Sequence, residues 1–204
     1  MKLDIPLPLP DEIVYSAIAR GIRRLGISSE RVRIALFDGR QIIPRPHFCS
    51  QLDIVASALS EKAGWPFTPN ELRDRHTLAP LALPLVPSHI RPRCEAAVHR
   101  AHFSRNFLGR CRHVLGIHAR TRLRSCEACR IQDLMRYGEQ YFHRIHQIPA
   151  VRVCPHHHEW LEECDLTAEP NVYVPLDDVH EFTDISTSEA DFPAQLRLAK
   201  TLWR

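Results

Sequence analysis

Between Glu12 and Arg24 the apolar positions Val14, Ala17, Ile18, Gly21 and Leu25 recur every three or four residues, the period of a helix with one apolar stripe. Asp11 is placed to cap that helix and Gly26 to end it. A second short helix is expected from Ser29 to Phe37, closed by Asp38 and Gly39, and the pair can form part of a helix-turn-helix or simply pack as neighbours. A third is expected from Ser50 to Lys62, with Leu52, Ile54, Val55 and Leu59 inside and Gly64 beyond it. Thr68-Pro69-Asn70-Glu71 has the form of a capping box with proline at the first helical position, so a fourth helix should start there. Residues 76–87, HTLAPLALPLVP, are apolar but broken by prolines, and read as an extended connector. Helical spacing returns from about Arg93 to Leu108, and again from Phe192 to Trp203.

Further along, Ile131, Leu134, Gly138, Phe142 and Ile145 predict a helix with one apolar face, after which IPAVRV returns the chain as a turn and strand. The predicted fold is mainly α. An N-terminal helical domain covers residues 1–115, a small zinc-binding knuckle with short strands and a helix covers 116–166, and an acidic linker followed by the start of a C-terminal helical region covers 167–204.

The knuckle rests on spacing. Cys126 and Cys129 form C-x2-C, and Cys154 and His157 form C-x2-H, with 24 residues between the pairs. Each two-residue spacer lets a pair grip one edge of a tetrahedron, and four protein ligands leave no open position for water, so a structural Zn2+ is expected rather than a catalytic one. The spacer favours His157 over its neighbours His156 and His158. His143 and His146 lie near one another without an evident third ligand, and read as packing or hydrogen-bonding residues. Cys49, Cys94 and Cys111 read as small buried side chains, and Cys164 as a less favoured substitute ligand.

Composition narrows the function classes. The 204 residues can bury a core, no apolar run is long enough to span a bilayer, and no signal-peptide pattern opens the chain, so a cytoplasmic location is expected. Seven cysteines suit a metal clamp in a reducing compartment better than a disulfide framework. The net charge of +3 conceals a split: residues 1–150 carry +10 and residues 151–204 carry −7. Nine arginines between Arg91 and Arg124 face one acid, Glu95. The arginine fork suits phosphate, and Arg110, Arg112, Arg120, Arg122 and Arg124 are the candidate DNA contacts, although such a run reads equally well as a solvated basic face. There is no Gly-rich phosphate loop, no defensible Ser/His/Asp order and no carboxylate pair, so no enzyme class is supported.

The block CEACRIQDLMRYGEQYFHRIHQIPAVRVCPHHHEWL resembles the pattern of the TniQ/TnsD family: C-P-x-C, then D and Y-G, then Y-W-H-R-x-H-Q-L-P-G-V, then C-P-x-H-G. PLPLPDEIVYSAIAR and RHTLAPLALPL are similar to the family as well. Here Glu127 stands for the usual proline, Phe142 for tryptophan, and Ala150 and His158 for glycines. The resemblance implies zinc ligands at Cys126, Cys129, Cys154 and His157. It also implies a non-enzymatic adaptor that selects target sites in DNA transposition, linking double-stranded DNA, read directly or through a CRISPR guide complex, to the AAA+ ATPase TnsC. The stretch from Leu3 to Leu25 and the acidic segment after Leu166 are candidate ATPase-docking regions. A stand-alone, zinc-stabilised helix-turn-helix regulator is the alternative.

Overall fold

In the computed structural model, described for residues 2–40, 42, 46–47, 51–99, 122–166, 172–186 and 188–203, helices dominate and a three-stranded sheet sits late in the chain. The helices are α1 (Val14–Leu25), α2 (Ser29–Phe37), α3 (Leu52–Ala63), α4 (Pro69–His76), α5 (Ala79–Ala82), α6 (Arg91–His99), α7 (Glu127–Tyr137) and α8 (Phe192–Trp203). Strands β1 (Arg122–Ser125), β2 (Glu162–Asp165) and β3 (Thr183–Asp184) pair antiparallel in the order β1-β2-β3. Arg122 lies opposite Asp165 and Ser125 opposite Glu162.

Local signals account for several boundaries. Gly26, Gly64 and Gly138 end α1, α3 and α7 in the left-handed conformation that only glycine adopts without strain. Thr68 and Glu71 close the reciprocal capping box at the start of α4. Asp11 does not cap α1. Ile13 holds that position without a side-chain bond, while the Asp11 carboxylate accepts from Ile145 N–H at 2.9 Å and Arg144 Nε at 3.1 Å. A tertiary contact has taken the carboxylate that the local pattern assigned to the helix end.

Residues 76–87 also differ from the extended connector expected of them. They form α5 and a 3-10 turn over Leu83–Leu85, because Pro80 and Pro84 both fall in first turns, where a missing N–H breaks no helical bond. The helix expected from Arg93 to Leu108 is α6 as far as His99, and its remainder lies outside the described residues, as do Cys49 and Cys111. Cys94 is buried, as expected.

α1 is the centre of the molecule. Val14 through Ile22 are all buried, and Gly21 allows the N-terminal segment to cross so closely that a Cβ there would meet Ile5 Cγ2 at 2.9 Å and Ile5 Cα at 3.0 Å. The buried apolar cluster runs without a break from Leu3 and Ile5 through α1–α6 to Phe142, Ile145, Cys154 and Leu176. The stretch Leu3–Leu25, a candidate docking region on its sequence, supplies core, with Leu7 its one large exposed hydrophobic among the described residues. Beyond the knuckle, residues 172–178 wrap back onto α1. Tyr173 lies against Tyr15, with ring centroids 5.2 Å apart, Leu176 is buried, and Arg23 pairs with Asp177 and Asp178.

Candidate metal centre

The two cysteines of the first pair sit at the start of α7, Cys126 as its N-cap and Cys129 one turn in, so helical geometry turns both sulfurs to the same side. The second pair lies on a tight turn, in which His158 N–H donates to the Cys154 carbonyl at 3.0 Å and an isolated bridge joins Val153 to Trp160. The ligand atoms of Cys126, Cys129, Cys154 and His157 all fall within 4.8 Å of one another, a group that could hold a metal ion.

Cys129 Sγ lies 3.6 Å from Cys154 Sγ, and His157 Nδ1 lies 3.7, 3.2 and 3.8 Å from the sulfurs of Cys126, Cys129 and Cys154. With Zn–S near 2.3 Å and Zn–N near 2.0 Å, the edges of a tetrahedron are about 3.8 Å for S–S and about 3.6 Å for S–N. The donors therefore already stand at coordination spacing, and the two-residue spacer has selected His157. His156 packs instead against Trp203, with ring centroids 4.5 Å apart, and His158 takes the turn's left-handed position at φ 57°. Cys164, buried in β2, is not in the group, and burial pushes its thiol up to about 12. Hydrogen bonds from Cys126 and Cys129 lower the Cys154 thiol, while those to Cys126 and Cys154 raise Cys129.

Around the cluster, every polar residue of His143-Arg144-Ile145-His146-Gln147 has a structural task. His143 Nε2 meets Asp133 Oδ2 at 2.8 Å, Arg144 reaches Asp11 and the Asp74 carbonyl, and His146 Nε2 lies 3.9 Å from Cys129 Sγ. Gln147 Nε2 donates to the carbonyls of Arg124 and His143, and its Oε1 accepts from Arg124 N–H, which ties β1 to this loop. Asp133, Gln147 and Asp11 are partners that spacing could not single out, since their contacts span 10 to 134 positions. Ile131 and Leu134 do not form the apolar stripe expected of them. Both are exposed together with Met135, and the buried positions of α7 are Cys129 and Asp133, so the helix packs through its ligand side and stops at Gly138 before Phe142 and Ile145.

The knuckle is bound to α1 by a buried ion network. Arg20 donates through Nε and Nη2 to Glu12 at 2.9 and 2.8 Å and through Nη1 to Glu139 at 2.7 Å, while Arg24 grips Glu139 at 2.8 and 2.6 Å. Phe142 N–H donates to Ser16 Oγ at 3.0 Å, and Ile13 N–H donates to the Phe142 carbonyl at 3.2 Å.

The family model for TniQ matches residues 5–161, which takes in α1 to α7 and both ligand pairs. The chain belongs to the TniQ family. It is also 28% identical over 160 residues to the Transposon Tn7 transposition protein TnsD of Escherichia coli, a match that covers 76% of this chain and 30% of that protein's length. The TniQ match reaches past Cys154 and His157 and stops at Leu161, just before β2.

The candidate DNA contacts divide between described and undescribed residues. Arg110, Arg112 and Arg120 lie outside the described residues. Arg122 is half exposed and pairs with Glu163 at 3.1 Å and Asp165 at 3.6 Å across the β1–β2 ladder. Arg124 is directed inward, donating to Glu163 at 3.3 Å and to the carbonyls of Pro149 and Val151, both at 3.0 Å. Burial pulls its guanidinium below the ordinary arginine value despite the attraction of Glu163. No helix among the described residues is long and apolar enough to cross a membrane.

Proposed function

We propose that this TniQ-family chain is a non-enzymatic adaptor of transposition target selection, which links target DNA, read directly or through a CRISPR guide complex, to the AAA+ ATPase TnsC. The observation that carries this reading is the family match over residues 5–161, together with the likeness to a relative whose name is that of a transposition protein. Because the chain spans only 30% of that relative, the parts played by the rest of the relative are not carried over.

One Zn2+ is the proposed metal. Three cysteine sulfurs and one imidazole nitrogen at tetrahedral spacing form a donor set that suits it, and a set of four leaves no position for a substrate or an activated water. Its proposed work is mechanical, holding the start of α7 to the Cys154 turn. His143 is bonded to Asp133 and His146 is fully buried, so both are read as structural residues beside this centre.

The proposed DNA contacts are Arg110, Arg112, Arg120 and Arg122, with Arg124 supporting the strand that carries Arg122. Arginine contacts to phosphate predict binding that weakens steeply with salt.

The reading is tested by sedimenting the chain on duplex DNA with the AAA+ ATPase of its own element, with and without ATP. ATP-dependent co-sedimentation is the expected result. Binding to DNA that ignores the ATPase would favour the stand-alone regulator. Reversing the charge of Arg112, Arg120 and Arg122 together should flatten the salt dependence of DNA binding, and unchanged binding would remove these residues from the interface.

A further inference from the structure

His146 lies against the ligand group without belonging to it. Its ring is fully buried, Nε2 is 3.9 Å from Cys129 Sγ, and Nδ1 meets no hydrogen-bond partner. The His143 ring, anchored by Asp133, lies with its centroid 5.0 Å away and holds that side of the imidazole. A neutral imidazole carries one N–H, on one nitrogen or the other.

A metal-bound thiolate has no proton and can only accept. With the proton on Nδ1, the ring would bury a donor without an acceptor and turn its Nε2 lone pair toward a negatively charged sulfur, two unfavourable arrangements at once. With the proton on Nε2, the N–H points at the sulfur and only a lone pair goes unused. Charge favours the same choice, because three thiolates and a neutral imidazole around a divalent ion leave a net charge of −1 in a buried place. Backbone N–H groups of His157 and His156 already serve Cys154.

We infer that His146 is a positioning residue for the metal centre, its Nε2–H donating to the Cys129 thiolate and so fixing the sulfur's orientation and drawing off part of its charge. His146 thereby differs from the other polar members of its block, which hold the protein together through bonds to oxygen acceptors and to a backbone N–H; it acts on the metal through a sulfur. This inference rests on the metal reading proposed above. Outer hydrogen bonds of this kind are worth tenfold or more in metal affinity.

The test uses the full chain loaded with Cd2+ or Co2+. In the 113Cd form, 15N shifts of the imidazoles report the tautomer of His146, and a coupling between 113Cd and the Nε2 proton can arise only through the hydrogen bond to sulfur. The Nε2–H tautomer with that coupling is expected. An Nδ1–H tautomer in the metal-loaded protein would overturn the inference while leaving the metal reading intact, and failure to bind either metal would remove both. In the Co2+ form, His146→Phe should shift the sulfur-to-cobalt charge-transfer band to lower energy and speed alkylation of Cys129 about tenfold. His146→Gln, which can present an N–H at a similar reach, should restore both. A His146→Phe protein that binds Co2+ with an unchanged band and unchanged alkylation would show that the ring only fills space.

Discussion

Cys126 has two roles, N-cap of α7 and first member of the ligand group, so its sulfur links a helix end to the Cys154 turn. Because the site's binding free energy is also folding free energy, Cys126→Ser should lower metal content from one ion per chain toward zero and weaken Zn2+ affinity by at least about a hundredfold. Metal analysis after dialysis, alongside a thermal melt, checks both; full occupancy in a stable variant would remove Cys126 from the ligand set. Glu139 carries a different prediction. Burial acts to raise its pKa, but hydrogen bonds from Arg24 and Arg20 outweigh burial and leave it lowered. A carboxylate whose folded pKa is depressed contributes stability that is fully present above its unfolded value near 4.3 and is lost as pH falls through the folded one. Glu139→Gln should therefore cost about 2–4 kcal/mol at neutral pH, since Arg20 would keep a buried charge short of a partner. The gap from the parent chain should begin to close below about pH 4.3 and vanish once pH has fallen through the lower folded value, as denaturant midpoints measured across pH will show.

Among the elements, α4 and α7 show opposite relations between local signal and outcome. α4 starts where its capping box says, because Thr68 and Glu71 satisfy the helix end within four residues and need no distant partner. The stripe along α7 misled, because Ile131 and Leu134 share a period with Phe142 and Ile145, whereas the helix stops at Gly138 and its inward side carries Cys129 of the Cys-His group and Asp133. The Cys154 turn carries a cost that its own sequence introduces. His158 occupies a left-handed position, φ 57°, where the family pattern has glycine, and a side chain there is strained by about 1 kcal/mol. His158→Gly should raise stability by about 0.5–1 kcal/mol in the metal-loaded protein without changing metal stoichiometry; a loss of stability would mean that the His158 side chain makes a contact worth more than the strain.

Taken whole, the chain unites its helical part and its knuckle in one core. Arg20 lies between Glu12 and Glu139, Phe142 bonds Ser16 and Ile13, and Arg144 bonds Asp11, so the knuckle rests on α1 rather than hanging from it. Removing the metal should then raise hydrogen exchange in α1 as well as in α7 and β1, in one cooperative transition. If α1 kept its protection after chelation, residues 1–115 would stand as an independent domain.

What the sequence by itself determined is whatever is encoded over a few residues. The candidate ligand set came from two spacers of two residues, the ends of α1 and α3 from glycines, the start of α4 from a box of four residues, and the family from one block of thirty-six. What only the tertiary structure decided depends on partners far away in the chain. Asp11 left a helix cap for Arg144 and Ile145, Arg124 turned to carbonyls of the loop before Cys154, and His146 came to lie under Cys129. The physical reason is the same in each case. Once the apolar core forms, a buried polar group is left with whatever partner the fold places within its reach, and no periodicity along the chain records which partner that will be.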